Sequence, residues 1–451
     1  MAQDDDSSLK KLQTMREKVD WSNEKERYPF FHDLLFNMIK TWKGPLPNFR
    51  DMFRTRDMDW LLTESLNHMH NIDDLYLGCP FVIFVASCGY RDKPEMDEKG
   101  KPILRRTTPL HRAAKQKNYA CVRELFKIYN WFNANYIDED GFTHFHAACL
   151  AGCDDVVGQF LKLGQDPDCL AQKFAYPPLH LAVVRCWEKV TRLLLDSGAD
   201  QNRANVDGFT PLHMLSLSEF PLTDKIFFKI NDEKNLTVEL DARDKKGRTP
   251  LEWAVANIRP LVVEALLDRG ADLSSFVFPT EAYFGSKFRR DYNILSFRGS
   301  ARLATDVLLI VEILKERGYE LSRSDALTIM KFFAHIGKPR KIVYEDGYKE
   351  YCAMCETDDK ATAGPFCGAH QSTILSKMFF QHWANEFLST LSCHRLPTVF
   401  CEVFLDQLKN EDLLRMCTAV EIVLKEQSQT QDDLEKVDKF EEFPKIFPRI
   451  M

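Results

Sequence analysis

The feature that most constrains the fold of this 451-residue chain is a segment that occurs five times. Each copy carries a version of the sequence Thr-Pro-Leu-His, and successive copies begin 35, 34, 33 and 39 residues apart. The copies start at Thr108, Thr143, Pro177, Thr210 and Thr249. A period near 33 residues indicates a repeat architecture, in which each unit buries its apolar face by stacking on its neighbours. The longest interval predicts an insertion around residues 231–237.

The residues of one copy predict a pair of helices. Threonine at a helix entrance can accept hydrogen bonds from the free N–H groups of the first turn, and proline in the first helical position loses no hydrogen bond. Small residues such as Ala113 and Ala147 follow and allow close packing of the paired helices. A second apolar helix comes next, and glycines such as Gly198 and Gly270 can adopt the left-handed conformation that ends it.

These features resemble the ankyrin repeat, and the resemblance covers residues 105–275. It implies a solenoid of about five repeats whose hairpin tips and first helices form a protein-binding face. Two copies depart from the motif, with His144 in place of proline and Glu252 in place of histidine. In ankyrin proteins the motif histidine hydrogen-bonds neighbouring backbone, so the resemblance assigns a structural role to His111, His146, His180 and His213 and not a metal-ligand role.

The regions on either side of the repeats are predicted to cover the ends of the stack. Residues 1–20 are acidic and polar and are expected to be disordered. Residues 21–104 are interpreted as an aromatic-rich helical cap, and a decayed first repeat is a further interpretation of part of it. Helical periodicity resumes in residues 276–345, which we interpret as a C-terminal helical cap and linker.

A zinc clip is predicted in residues 346–375. Two closely spaced ligand pairs with three thiolates and one imidazole suit a closed tetrahedral zinc site, which leaves no position for a reactive water. The alternative is that four ordinary residues lie in a loop. The predicted ligands are Cys352, Cys355, Cys367 and His370.

The segment 376–426 predicts two short helices, and residues 427–451 form a tail. In the segment 376–426, the spacing of Leu-Pro, Phe-Leu, Leu and Asp-Leu resembles an F-box. An F-box that follows ankyrin repeats resembles the PRANC family of poxviruses and insects. In that family the motif docks on a Skp-type adaptor of a cullin–RING ubiquitin ligase. One departure is Val399, where the family usually has an acidic residue. The alternative is a helical pair that only buries its own face. Matching positions imply docking by Leu396, Pro397, Phe404, Leu405, Leu408 and Leu413.

The candidate partner-binding residues lie at the predicted hairpin tips, where aromatic and arginine side chains are typical interface anchors. For Phe142 and Phe209, packing against an adjacent tip is an equally valid interpretation. Inner-helix positions such as Arg112, Lys115 and Arg185 are further candidates. The tip candidates are Phe142, Phe174, Tyr176, Phe209, Lys245 and Arg248.

Composition excludes several classes of function. The net charge of −7 disfavours binding to nucleic acid or to an acidic membrane, and no apolar stretch approaches the roughly 20 residues of a membrane-spanning helix. Thirteen irregularly spaced cysteines do not suggest a disulfide framework, and no signal peptide is visible, so the cytosol or nucleus is the expected location.

The preferred prediction is therefore an all-α ankyrin-repeat solenoid with helical caps and a C-terminal helical F-box-like domain, acting as substrate receptor for a ubiquitin ligase. The alternative is an ankyrin inhibitor that masks a transcription factor or signalling protein, with a purely structural C-terminus. An enzyme with its active site in residues 21–100 or 352–370 would be a third class, but no catalytic motif is present, so no enzymatic activity is predicted.

Overall fold

A computed structural model describes two compact units of the chain, Met1–Glu239 and Leu240–Met451. Regular secondary structure in the described residues is helical, apart from isolated β-bridges, which confirms the predicted all-α class. The described residues are 7–67, 80–170, 176–218, 220, 223–290, 297–336, 376–386, 409–410 and 412–418.

The first unit begins with helices that precede the repeats. A π-helical and a 3-10 segment continue the second of them to residue 41. Aromatic rings fill this region, with Phe31 meeting Trp60 and Phe81 edge-on at centroid distances of 6.1 Å. The helices are α1 (Ser7–Glu17), α2 (Glu24–His32), α3 (Phe49–Met52), α4 (Thr55–Asn67) and α5 (Pro80–Ser87).

The prediction of disorder for residues 1–20 is wrong for the part that forms α1. This helix is held to the rest of the cap because Leu12 is fully buried. In addition, the Arg16 Nε donates a hydrogen bond of 2.7 Å to the Met52 carbonyl. The polar composition of the segment predicted disorder, but burial of the apolar side chain of Leu12 orders the helix.

Four repeats follow in the first unit, each with an inner and an outer helix. The inner helices contact one another in order, and the last three outer helices do the same. α4 contacts the first inner helix and α5 the first outer helix, so α4 and α5 occupy the place of a preceding repeat. The pairs are α6 (Pro109–Lys115) with α7 (Tyr119–Ile128), α8 (His144–Ala151) with α9 (Asp154–Lys162), α10 (Pro178–Val184) with α11 (Glu188–Asp196), and α12 (Pro211–Leu217) with α13 (Thr223–Glu233).

The inner helices begin as the repeated motif predicts. Thr108, Thr143 and Thr210 are extended residues directly before the helices, and each forms a reciprocal pair of capping hydrogen bonds with the histidine three positions later. His144 replaces proline without changing this geometry. Its Nε2 lies 2.8 Å from the Thr108 hydroxyl, so the substitution adds a hydrogen bond to the preceding repeat.

The turn between α8 and α9 requires glycine. Gly152 has a φ of 69°, and a Cβ built there would lie 2.4 Å from a ring carbon of Trp187. The Trp187 indole N–H also donates to the Leu150 carbonyl over 2.9 Å. The third repeat therefore packs directly on the backbone of the second, and no side chain fits between them.

A charged network joins the α4–α5 pair to the repeats. Arg106 lies 2.6 Å from the carboxylate of Asp59 on α4 and 3.0 Å from that of Asp92, which follows α5. The hydroxyl of Tyr129 donates to Asp59 over 2.6 Å, and that of Tyr136 donates to Asp92 over 2.7 Å. Every carboxylate in the network thus has both a cation and a phenol as partners.

The second unit begins with the fifth repeat. The outer helix of this repeat contacts α17 (Phe297–Glu316), and α17 contacts α18 (Arg323–Ile336). Phe284 meets the Phe332 ring of α18 edge-on at 5.4 Å, beside Gly285 with its φ of 64°. The helices are α14 (Pro250–Ala256), α15 (Pro260–Asp268), α16 (Ser286–Arg290), α17 (Phe297–Glu316) and α18 (Arg323–Ile336).

Two further helical segments of the second unit lie at residues 376–386 and 412–418. Phe379 and Phe380 meet the Phe333 ring of α18 at centroid distances of 5.8 and 6.2 Å. The Asn410 amide donates to the Ser376 hydroxyl over 3.1 Å. The segment 376–386 therefore packs on α18, and the Asn410 contact joins the later segment to it.

Candidate protein-binding surface

Three hairpin tips share one turn chemistry. The Oδ1 of Asp138 accepts two backbone hydrogen bonds of 2.9 Å, from the N–H groups two and four residues later. Asn205 and Asp244 make the equivalent pairs at their own tips. The glycine of each tip has a φ between 78° and 83°. These turns hold the tips in a fixed shape and direct the intervening side chains outward.

The tips expose a set of side chains that suits contact with a polypeptide. Val206 is an apolar residue with 48% of its surface exposed, and sequence reasoning did not single it out. It could have been identified from the sequence by its position directly after Asn205, whose side chain closes the turn. The other exposed tip residues are charged: Glu139 and Asp207 in the first unit, and Lys245 and Lys246 in the second.

Phe142 does not belong to this surface, so its prediction as a partner anchor is corrected. Only 1% of its side chain is exposed. Its ring packs 5.6 Å from the His146 ring and 6.3 Å from that of His111, between two successive repeats. The alternative interpretation, packing within the stack, is the one that the structure shows.

The other predicted aromatic anchors are partly covered by their own repeats. Phe209 is half-buried and lies edge-on to His213 at 5.5 Å, and half-buried Tyr176 lies 6.5 Å from His180. Each remains partly exposed and lies just before an inner helix. Phe174 lies outside the described residues.

Of the two predicted cations at the fifth tip, only Lys245 is exposed. Arg248 forms an ion pair of 2.7 Å with Asp244 and stacks over Trp253 and Tyr283 at 4.0 and 4.7 Å. An arginine held on three sides in this way stabilises the tip. The prediction of Arg248 as a partner-binding residue is therefore corrected, because its contacts lie within its own unit.

The inner-helix candidates also divide into exposed residues and residues that are used in contacts between repeats. Arg112 is exposed, whereas Lys115 forms ion pairs of 2.7 Å with both Asp138 and Asp140 of the next tip. The guanidinium of Arg185 lies between the rings of Tyr119 and Phe220, at 4.5 and 4.9 Å. Arg185 therefore joins the ends of helix pairs from three repeats and is a packing residue.

A row of histidines fixes the register of successive repeats. The Nδ1 of His111 accepts the Thr108 N–H over 3.0 Å, so its proton is on Nε2, which donates to the Tyr136 carbonyl of the following repeat over 3.2 Å. His146 and His180 reach the next repeat similarly, at 3.2 and 2.7 Å. Burial lowers the pKa of all three to about 4, so these rings are neutral at pH 7. The structural role predicted for the motif histidine is confirmed.

The predicted zinc ligands Cys352, Cys355, Cys367 and His370 lie outside the described residues. Within the described part of the chain, no group of three or more metal-binding side chains is placed to hold an ion. The same residues contain no helix that is both long and apolar enough to cross a bilayer.

Of the predicted adaptor-docking residues, only Leu413 is described. Its side chain is fully buried, together with Met416 and Cys417 on the same helical segment. Leu413 therefore packs inside the second unit and does not contact an adaptor in this conformation. The others, which lie outside the described residues, are Leu396, Pro397, Phe404, Leu405 and Leu408.

Comparison with known protein families supports the repeat assignment. A model of three ankyrin repeats matches residues 81–171, and single-repeat models match residues 176–206 and 246–275. The first match begins inside α5, which agrees with the repeat-like place of α4 and α5. The chain therefore contains ankyrin repeats, as the sequence motif predicted.

Three curated relatives share part of the chain. The human B-cell lymphoma 3 protein is 31% identical over 32% of this chain and 32% of its own length. Ankyrin repeat and SOCS box protein 11 of Danio rerio is 35% identical over 24% and 36%, respectively. The E3 ubiquitin-protein ligase KEG of Arabidopsis thaliana is 26% identical over 37% and 11%. The chain thus matches about a third or less of each relative.

Proposed function

We propose that this ankyrin-repeat chain holds a protein partner on its hairpin tips and inner helices and presents it to a ubiquitin ligase as a substrate receptor. The observation that supports the binding role is that the repeats use one group of side chains for internal packing and leave another group exposed. The motif histidines, Arg185 and Arg248 are used for internal packing, whereas Val206 and the charged tip residues remain exposed. Tips that are held in a fixed shape by their own turns bind a partner without large rearrangement.

The ligase role rests on the F-box-like spacing of the C-terminal segment and on its position behind the repeats. Two relatives support it by their names, one as an E3 ubiquitin-protein ligase and one as a SOCS box protein. In this role the chain contributes proximity, since it joins the target and the ligase in one complex, and it supplies no catalytic residue.

Binding of a purified Skp-type adaptor tests the ligase role. We expect the full-length chain to retain the adaptor in a pull-down and the double variant Pro397→Ala, Leu405→Ala to lose at least ten-fold in affinity, because both changes remove docking side chains. Met378→Ala is the matched control, since Met378 lies in the same C-terminal region and is 79% exposed.

The control variant should bind like the wild-type chain. If the wild-type chain is folded by circular dichroism and still fails to retain the adaptor, the ligase role is wrong. The alternative of an ankyrin protein that masks its partner would then remain, because the repeats are unaffected by that result.

We also propose that Cys352, Cys355, Cys367 and His370 bind a structural zinc ion, on the support of their spacing alone. Metal analysis of the purified chain should give about one zinc per molecule. The variant Cys352→Ser, Cys367→Ser should lose it, while Cys88→Ser, which changes a thiol at the end of α5, should retain it. A wild-type stoichiometry near zero would contradict the site.

A further inference from the structure

A basic cavity lies in the N-terminal part of the first unit, in the helices that precede the repeats. Its walls come from α1, α3, the start of α4 and the loop after α5, and its volume is about 620 Å³. Six cationic side chains and two carboxylates line it, which gives a formal charge of +4 in a chain whose net charge is −7. The cations are Arg16, Arg50, Arg54, Arg56, Arg91 and Lys93.

Three of these cations, Arg16, Arg50 and Arg91, are oriented by neutral carbonyl groups. Arg16 Nε donates to the Met52 carbonyl over 2.7 Å, and Arg50 Nη2 donates to the Arg91 carbonyl over 2.6 Å. Arg91 Nη1 in turn donates to the Tyr90 carbonyl over 2.8 Å. A carbonyl fixes the position of a guanidinium without cancelling its charge, and each guanidinium keeps further N–H donors for another acceptor.

The carboxylates of the cavity do not neutralise it. Within the described residues, none of the six cations forms an ion pair with an aspartate or glutamate. Asp51 instead accepts a hydrogen bond from the Asn48 amide over 2.7 Å. This contrasts with Arg106 nearby, whose charge is met by two carboxylates. The cavity thus carries uncompensated positive charge.

The cavity is small enough for its cationic side chains to repel one another. A sphere of 620 Å³ has a radius of about 5 Å, which is shorter than the screening length of roughly 8 Å at physiological salt. Mutual repulsion of the cations is therefore only partly screened, and an anion with several charges would relieve it. The volume also lies within the range of about 300 to 1,000 Å³ typical of small-ligand sites.

The lining favours phosphate over other anions. Five of the six cations are arginines, whose planar N–H donors match the oxygens of phosphate or carboxylate in pairs. The formal charge of +4 favours phosphate, because each phosphate group carries up to two negative charges and a carboxylate carries one. The aromatic residues of the lining, Phe53 and Tyr90, are 5% and 7% exposed and offer no free ring face on which a base could stack. We infer that this cavity binds a compact soluble ligand that carries several phosphate groups and no aromatic base, such as an inositol polyphosphate.

Calorimetric titration with inositol hexakisphosphate at 0.15 M salt tests the site on the full-length chain. We expect saturable binding near one ligand per chain and a weaker but measurable affinity for tripolyphosphate. The variant Arg54→Gln, Arg56→Gln should weaken binding at least ten-fold. Both residues are exposed and their side chains make no described hydrogen bond, so the fold should be retained, as circular dichroism can verify.

The matched control is Lys162→Gln, Lys225→Gln, which removes two exposed cations from outer helices of the repeats. It should bind like the wild-type chain. The inference is overturned if inositol hexakisphosphate does not bind, if sulfate or citrate competes equally well at matched ionic strength, or if the control variant loses affinity to the same extent. Binding of a triply phosphorylated peptide in the absence of inositol hexakisphosphate binding would also overturn it, because the ligand would then be a protein segment.

Discussion

Replacing Arg106 with methionine is expected to lower the free energy of unfolding by about 3 to 5 kcal/mol, the range for removing one partner of a buried ion pair. The substitution would leave the carboxylates of Asp59 and Asp92, whose side chains are only 18% and 2% exposed, without their cation. Their phenol partners donate hydrogen bonds but carry no compensating charge. Urea denaturation followed by circular dichroism measures the loss.

Arg105→Met is the matched control for this prediction. Arg105 is the preceding residue and is exposed, so its replacement should change the free energy of unfolding by no more than about 0.5 kcal/mol. Hydrogen exchange should show the greatest loss of protection in α4, since Asp59 lies on that helix. An Arg106→Met effect below about 1 kcal/mol would mean that the network does not hold the α4–α5 pair to the repeats.

The repeats could be predicted from the sequence because their determinants are local. A threonine cap, a proline in the first turn and a terminal glycine act within a few residues, and the motif repeats them at a fixed period. The position of Thr108 or Thr210 at a helix entrance follows from such neighbours alone. The register of α4 against α6 does not, because it depends on contacts such as that between Asp59 and Arg106, which are 47 residues apart.

The candidate site was predictable only in part for the same reason. The repeat motif predicted a hairpin tip before each inner helix, but it did not determine which tip side chains face solvent. Phe142 and Arg248 have the residue types of interface anchors, yet long-range packing against His111 and Tyr283 uses them internally. The basic cavity could not be predicted from the sequence either, because its cations come from four separate elements and do not form a continuous run.

Acidification from pH 7 to pH 5 is expected to destabilise the first unit by several kcal/mol. Burial lowers the pKa of His111, His146 and His180 to about 4, below the value of roughly 6.5 expected in the unfolded chain. The unfolded state therefore binds more protons, so the stability is fully present above pH 6.5 and is lost as the pH falls toward 4. At pH 5 each histidine accounts for about 2 kcal/mol.

The fifth repeat provides an internal comparison, because Glu252 occupies its histidine position. Its carboxylate accepts the Thr249 N–H over 3.3 Å, and burial raises its pKa above the ordinary value. A raised carboxyl pKa means that the folded state binds the proton more tightly, so acid does not destabilise this repeat through Glu252. Burial tends to raise the pKa of Asp244, but hydrogen bonding from Arg248 lowers it to about 2. The stability that ionised Asp244 contributes is therefore lost only below about pH 4. Between pH 6.5 and 5 the two units should thus respond differently.

Hydrogen exchange monitored by mass spectrometry from pH 7 to pH 5, corrected for the intrinsic rate, can separate the two responses. We expect protection in α8 and α10 to fall with acid, while protection in α14 is retained. Replacing His180 with glutamine should lower stability at pH 7 but reduce its dependence on pH, because glutamine does not titrate. The converse change, Glu252→His, should make α14 sensitive to acid. Equal loss of protection in α10 and α14, or an unchanged pH dependence in His180→Gln, would show that the buried neutral histidines do not control the acid response of the repeats.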